Sequence, residues 1–175
     1  MEGTSLGYPF NGRKRQRLSG YDYRLANMYF VTFRTYGSAE LLGTVTDNGV
    51  ELSESGRMVD DYIGALPERF PRVQLAEWIV MPDHVHILLG LMPGDGSSLT
   101  SLSDVIHWLK TETTNAYIRG VKASGWEPFD RKVWQTSFHD RIVRDEDEFL
   151  AIRGYIRANP TRRWERICAE DQARS

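Results

Sequence analysis

Cysteine is almost missing from this chain: Cys168 stands alone among 175 residues. A single thiol excludes an internal disulfide framework and a cysteine-based zinc site. Long apolar runs are missing too, and nothing approaches the roughly 20 residues needed to span a bilayer. The opening MEGTSLGYPFNGRKRQRLSG has no apolar core of the kind a secretory signal carries. The expected compartment is therefore the cytoplasm, with no membrane partner. There is no internal repeat and no low-complexity segment. A strong net charge is also lacking, at −2, which excludes a uniformly basic surface.

The charge that is present is unevenly spread. Residues 1–36 carry six Lys/Arg against two Asp/Glu, residues 37–70 two against seven, and residues 131–166 nine against six. A polyanionic partner is thus permitted at the two ends of the chain and not demanded by the total. Hydrophobic content of 41% and charged content of 26% are those of an ordinary globular protein. The length suits one domain with a proper core. The expected division is a basic N-terminal arm over residues 1–20, a single domain over 21–166, and a C-terminal tail over 167–175.

Asn27 to Thr35 (NMYFVTFRT) is aromatic and β-branched and predicts a strand. Ser53 to Leu66 predicts a helix, with Met58, Val59, Ile63 and Leu66 near helical spacing and Pro67 ending it. Leu75 to Met81 and His84 to Leu91 predict two strands, and the two-residue link Pro82-Asp83 makes them antiparallel neighbours. Ser101 with Asp104 forms a capping box for a helix to about Val121. Trp134 to Arg144 predicts a strand. Asp145, helped by Glu148, caps a last helix to about Ala158. Asn159 precedes Pro160, which disfavours helical geometry there, so Asn159 is expected at a frayed helix end. The order β-α-β-β-α-β-α gives an α+β fold: a ferredoxin-like split β-α-β antiparallel sheet with an appended C-terminal helix.

Two residues stand out in WIVMPDHVHILLG, residues 78–90. Residues i and i+2 of a strand share a face, so His84, His86 and Leu88 point one way and Val85, Ile87 and Leu89 the other. The second set suits a core. The first places two imidazoles side by side, where both can reach one divalent cation. Hydrogen bonding within the structure is the plainer alternative. On the last helix, Glu148, Ile152, Tyr155 and Asn159 fall on one line. A phenol beside a metal can attack a phosphate, giving a covalent phosphotyrosine and a free hydroxyl. Asn159 could add its side-chain oxygen to the metal, whereas a half-buried aromatic is the bland reading of Tyr155. Arg13, Lys14, Arg15 and Arg17 could follow a DNA backbone, or form a solvated tail. Arg141 and Arg144 could meet phosphate, or form exposed salt bridges. Tyr21, Tyr23 and Trp134 could stack on unpaired bases, with packing the alternative, and His107 and His139 are taken as structural.

Four ordered segments carry a resemblance: LSGYDYRLANMYFVTFRT, MPDHVHILL, VWQTSFHDRIVRDEDEF, and YIRANP followed by a Trp. Together, over roughly residues 18–164, they resemble the single-tyrosine HUH transposases, and within them the REP-associated tyrosine transposases. The resemblance implies a ferredoxin-like nuclease that cuts and rejoins single-stranded DNA near hairpins. It makes His84 and His86 the metal ligands, with Mg²⁺ or Mn²⁺ as the metal. Tyr155 becomes the nucleophile linked to the 5′-phosphate. Asn159 falls where the mobile-element branch usually places a glutamine as third ligand. A homodimer is left open, since mobile relatives work as dimers and the REP-associated branch is consistent with a monomer. The rival from another class is a non-catalytic hairpin-binding module of the same fold. An unrelated metal-dependent hydrolase would explain the histidines but not the spacing of Tyr155 and Asn159.

Overall fold

A computed structural model describes residue 22 and residues 24–93 and 100–173. The basic arm, with Arg13, Lys14, Arg15, Arg17, Tyr21 and Tyr23, lies outside the described residues. The strands are β1 (Asn27–Arg34), β2 (Gly43–Thr46), β3 (Gly49–Leu52), β4 (Val73–Met81), β5 (His84–Leu91) and β6 (His139–Ile142). The helices are α1 (Glu54–Gly64), α2 (Leu66–Arg69), α3 (Leu102–Ser124) and α4 (Glu146–Gln172). The main sheet is antiparallel in the order β4-β5-β1-β6, with β2-β3 as a separate hairpin. Apart from that hairpin and the single-turn α2, this is the ferredoxin-like split β-α-β arrangement with an appended helix.

Alternation along the strands sorts the sheet into two faces. On one face Tyr29, Val31 and Phe33 of β1 and Val85, Ile87 and Leu89 of β5 pack with Val59 and Ile63 of α1 and Val105, Ile106 and Leu109 of α3. On the other, Phe30 and Leu88 pack with Ile152, Tyr155 and Ile156 of α4. Helix starts follow the sequence. Ser53 accepts a hydrogen bond from the Gly56 N–H at 3.0 Å, and Ser101 and Asp104 form the full capping box. Gly125 ends α3 at φ 69°, left-handed geometry that favours glycine.

Four elements depart from the sequence expectation. The hairpin β2-β3 was not anticipated. Ser53–Leu66 is not one helix: the axis breaks at Ala65, and Pro67 sits in the first turn of α2, where its missing N–H costs nothing. β6 spans four residues rather than eleven, joined to the rest by an isolated bridge from Trp134 to Thr35. The carbonyls of Gln135, Thr136 and Ser137 accept from Lys110 Nζ instead of joining the ladder. Finally, α4 continues through Pro160 to Gln172, so Asn159 lies inside a helix and not at a frayed end. The tertiary contacts of Arg163, described below, hold the segment that follows the proline.

Candidate active site

The register of the sheet decides which side chains meet. His86 stands opposite Thr32 on β1 and Ile79 on β4, and His84 stands opposite Arg34 and Met81. Both histidines are buried, at 5% and 2% exposure, with ring centres 4.7 Å apart. Each imidazole is anchored through Nδ1. His84 Nδ1 lies 2.7 Å from an Asp83 carboxylate oxygen, and His86 Nδ1 lies 2.7 Å from the Thr32 hydroxyl. With Nδ1 held by its anchor in each ring, Nε2 is the nitrogen that faces away from the anchor.

His86 Nε2 is buried and has no partner among the described residues. The other such atom is Oε1 of Glu148, and the Arg141 guanidinium lies against it. Burial, followed by the charges of His84 and Arg34, holds the His86 imidazole well below its ordinary proton affinity, so it is a neutral base. Asp83 behaves oppositely. Burial alone would raise its carboxyl. The hydrogen bond and charge of His84, with Arg163 and Arg34, outweigh that and bring it down to about 2.

Helix α4 brings the remaining groups. The Tyr155 ring centre is 5.4 Å from that of His86 in an edge-on arrangement, and 6.2 Å from that of Phe30. Asn159, 9% exposed, lies one turn further along. His84, His86, Tyr155 and Asn159 line one cleft of about 1060 Å³ together with Arg34, Ala158, Thr161, Arg162, Arg163, Glu165 and Arg166. The four sequence-nominated residues are therefore neighbours. No cluster of three His, Cys, Asp or Glu able to hold a metal occurs among the described residues. The donor set here is two imidazoles and an amide oxygen. That set fits a divalent cation: two anchored imidazoles, one with an orphaned Nε2, and an oxygen donor lining the same cleft.

Arg141 and Arg144 come together elsewhere, on Glu148. Arg141 pairs with its carboxylate, and Arg144 donates to it through its backbone N–H at 2.9 Å and Nε at 3.0 Å. Half of the expected capping box is present, since the Glu148 N–H donates to the Asp145 carboxylate at 2.8 Å. The reciprocal half is displaced, because the Glu148 side chain takes the N–H of Arg144 rather than that of Asp145. Trp134 is 4% exposed and donates to Thr113, which is packing rather than base stacking. His139 is exposed on β6, opposite Thr32.

Sequence reasoning missed Thr32, Asp83 and the arginines of the cleft. Asp83 adjoins His84 and could have been flagged. Thr32 could not, because its relation to His86 depends on a pairing across 54 positions. Arg163 donates to Asp83 at 2.9 Å and pairs with Glu40, and Arg34 donates to Asp83 at 2.9 Å. Asp83 thereby ties α4 to the start of β5. Ending the helix at Ala158 had hidden that link.

Comparison with known proteins bears on this site. Residues 57–159 match the model of the family described as "Transposase IS200 like", a span that contains both histidines and Tyr155 and ends on Asn159. A protein of uncharacterised function from Haemophilus influenzae is 27% identical over 175 residues, covering 90% of this chain and 93% of its own. The solved structure of a REP-associated tyrosine transposase bound to a REP hairpin shares the fold, with a TM-score of 0.57 and 19% identity. That likeness covers 84% of this chain and 76% of the other. No helix of the described residues is long and apolar enough to cross a membrane.

Proposed function

The chain belongs to the IS200-like transposase family, and from that premise we propose that it cuts and rejoins single-stranded DNA at REP-like hairpins through a 5′-phosphotyrosine on Tyr155. The observation that carries this reading is the single cleft lined by His84, His86, Tyr155 and Asn159, with the orphaned Nε2 of His86 inside it. His84, His86 and Asn159 would hold Mg²⁺ or Mn²⁺. When bound, such an ion supplies charge stabilisation at phosphate oxygens.

The chain's own residues account for the rest. The phenol oxygen of Tyr155 attacks phosphorus, and the bond from phosphorus to the 3′-oxygen breaks. The phenol proton passes to solvent, and the departing 3′-oxygen takes one up. The phosphotyrosine conserves the bond energy, so a 3′-hydroxyl can later reverse the attack on the same or another strand without a nucleotide cofactor. Thr32 and Asp83 hold the imidazoles in one orientation. Phe30, Leu88 and Ile156 fix the Tyr155 ring. Tyr155 meets His86 within one chain, which supports a site that needs no partner copy and makes a homodimer dispensable for cleavage.

A DNA partner is supported by the hairpin bound to the structurally similar transposase. Arg13, Lys14, Arg15 and Arg17 would follow the backbone of such a hairpin. Arg144, with its side chain 70% exposed, and the neighbouring Arg141 would meet it from the sheet edge.

The test is a labelled single-stranded hairpin incubated with the protein and Mn²⁺. Wild type should form a denaturation-resistant covalent adduct. Tyr155→Phe should form none, with hairpin affinity within about threefold, because removing the nucleophile removes the covalent step and not the contacts. Cleavage by Tyr155→Phe would sink the assignment. Hairpin binding by a wild type that never forms an adduct would leave the non-catalytic binding module.

A further inference from the structure

We propose that Arg162 is a further catalytic residue, a guanidinium that grips the scissile phosphate while Tyr155 attacks it. The proposal rests on Tyr155 being the nucleophile. Arg162 is at i+7 from Tyr155, two turns along α4, and extends the line of Glu148, Ile152, Tyr155 and Asn159. Its position depends on α4 continuing past Pro160.

Four arginines line the cleft, and their partners distinguish them. Arg34 and Arg163 are committed to Asp83, and Arg163 also to Glu40. Neither Arg162 nor Arg166 has an ion pair among the described residues. Arg166 is exposed, whereas Arg162 is half-buried, with its guanidinium carbon 5.6 Å from the centre of the Tyr155 ring. Glu165, the one carboxylate among the described residues that line the cleft, is exposed and makes no ion pair with Arg162. Arg162 thus stands over the Tyr155 ring with no carboxylate paired to it among the described residues. The ring face of Tyr155 compensates only in part. A phosphodiester entering the cleft for attack by Tyr155 would bring an anion within reach of this guanidinium.

The chemistry suits that guanidinium. As the phenol oxygen bonds to phosphorus and the 3′-oxygen leaves, charge gathers on the two non-bridging oxygens. A planar guanidinium donates to both at once, which a lysine ammonium cannot do. Arg162 remains protonated throughout and neither gives nor accepts a proton.

The experiment is single-turnover adduct formation on a labelled hairpin oligonucleotide with Mn²⁺, using wild type, Arg162→Ala and Arg162→Lys, with hairpin Kd measured in parallel. Arg162→Ala should slow adduct formation by about 10²–10³-fold, the cost of removing one preorganised donor from a developing anion, with Kd changed less than about threefold. Arg162→Lys should recover only part of the rate. Free guanidinium, kept below unfolding concentrations, should restore Arg162→Ala by about tenfold or more, while equimolar methylammonium should not. An alanine variant within threefold of wild type overturns the proposal. So does a rate loss matched by an equal loss of affinity, or a loss that guanidinium does not restore. A wild type that forms no adduct refutes the nucleophilic role of Tyr155 instead, which keeps the two failures apart.

Discussion

Val85, Ile87 and Leu89 face α1 and α3, while His84, His86 and Leu88 face α4, although the six alternate along one strand. The α1/α3 face is apolar, closed and fully packed. The α4 face keeps an apolar floor of Phe30, Leu88, Ile152 and Ile156, and at one end gives way to imidazoles, a phenol, an amide and arginines around an open cleft. The first face supplies stability, so the second can carry buried polar groups that no stable core would choose. Period-two alternation is what allows one strand to do both, with a rigid backbone shared between them.

That division can be broken most severely at the histidine side. In the double variant His86→Leu/Thr32→Val both partners of a buried hydrogen bond become apolar. Exchanging such a pair is nearly neutral or stabilising, whereas an orphaned buried polar group costs about 1–3 kcal/mol. The expected result is no detectable phosphotyrosine adduct, with a melting temperature equal to or above that of wild type. A fall of many degrees would show that the α4 face is structural after all.

The mirror-image change comes next. Ile87 follows His86 directly in the strand, points to the opposite face and is fully buried. Ile87→Ala should cost about 2–5 kcal/mol through lost burial and a residual cavity, measured by urea unfolding. At temperatures where the variant stays folded, adduct formation should remain within a few-fold of wild type.

A smaller effect probes the anchor alone. Thr32→Val keeps shape and removes the hydroxyl that meets His86 Nδ1. Loss of such an outer partner typically weakens metal affinity by about 10–100-fold. A Mn²⁺ titration followed by electron paramagnetic resonance would check it, and unchanged affinity would mean that Thr32 does not orient the ring.

How far the two faces were visible in the sequence follows from whether each feature is local. The β4-β5 hairpin, the shared face of His84 and His86, and the line through Tyr155 and Asn159 depend on periodicity within one segment, and all are present in the fold. The β2-β3 hairpin was also local, and its Asp47-Asn48-Gly49 turn is a sequence signal that went unused. By contrast, the contact of Thr32 with His86 arises from strand register between distant segments. The shortness of β6 depends on Lys110, a residue of α3, drawing carbonyls out of the ladder. The helix beyond Pro160 ran against local propensity, and with it went Arg162, Arg163 and Arg166. Local rules found Tyr155 and the histidines, while the groups packed around them were set by tertiary pairing.

The smallest effect lies where the two ends of the α4 face are fastened together. Glu148, 9% exposed in the first turn of α4, accepts from Arg144 and pairs with Arg141 of β6, clamping the tyrosine helix to the sheet edge. Burial alone would raise its carboxyl. The hydrogen bonds from Arg144 and the charges of Arg141 and Arg144 prevail, and the group sits below its ordinary value of 4.5. A carboxyl depressed on folding stabilises the protein at pH values above the ordinary range, and that contribution disappears as pH falls through the folded value. Arg144 is largely exposed, so solvent screening keeps the total modest, at about 1 kcal/mol. Glu148→Gln should therefore be less stable than wild type at pH 7 by about that amount, and the difference should shrink steadily below pH 4.5. Asp83 also titrates at low pH, but it does so in both proteins and cancels from the difference. Unfolding in urea across pH 7 to pH 3 measures it, and a difference that stayed constant with pH would show that Glu148 acts through shape and not through its charge.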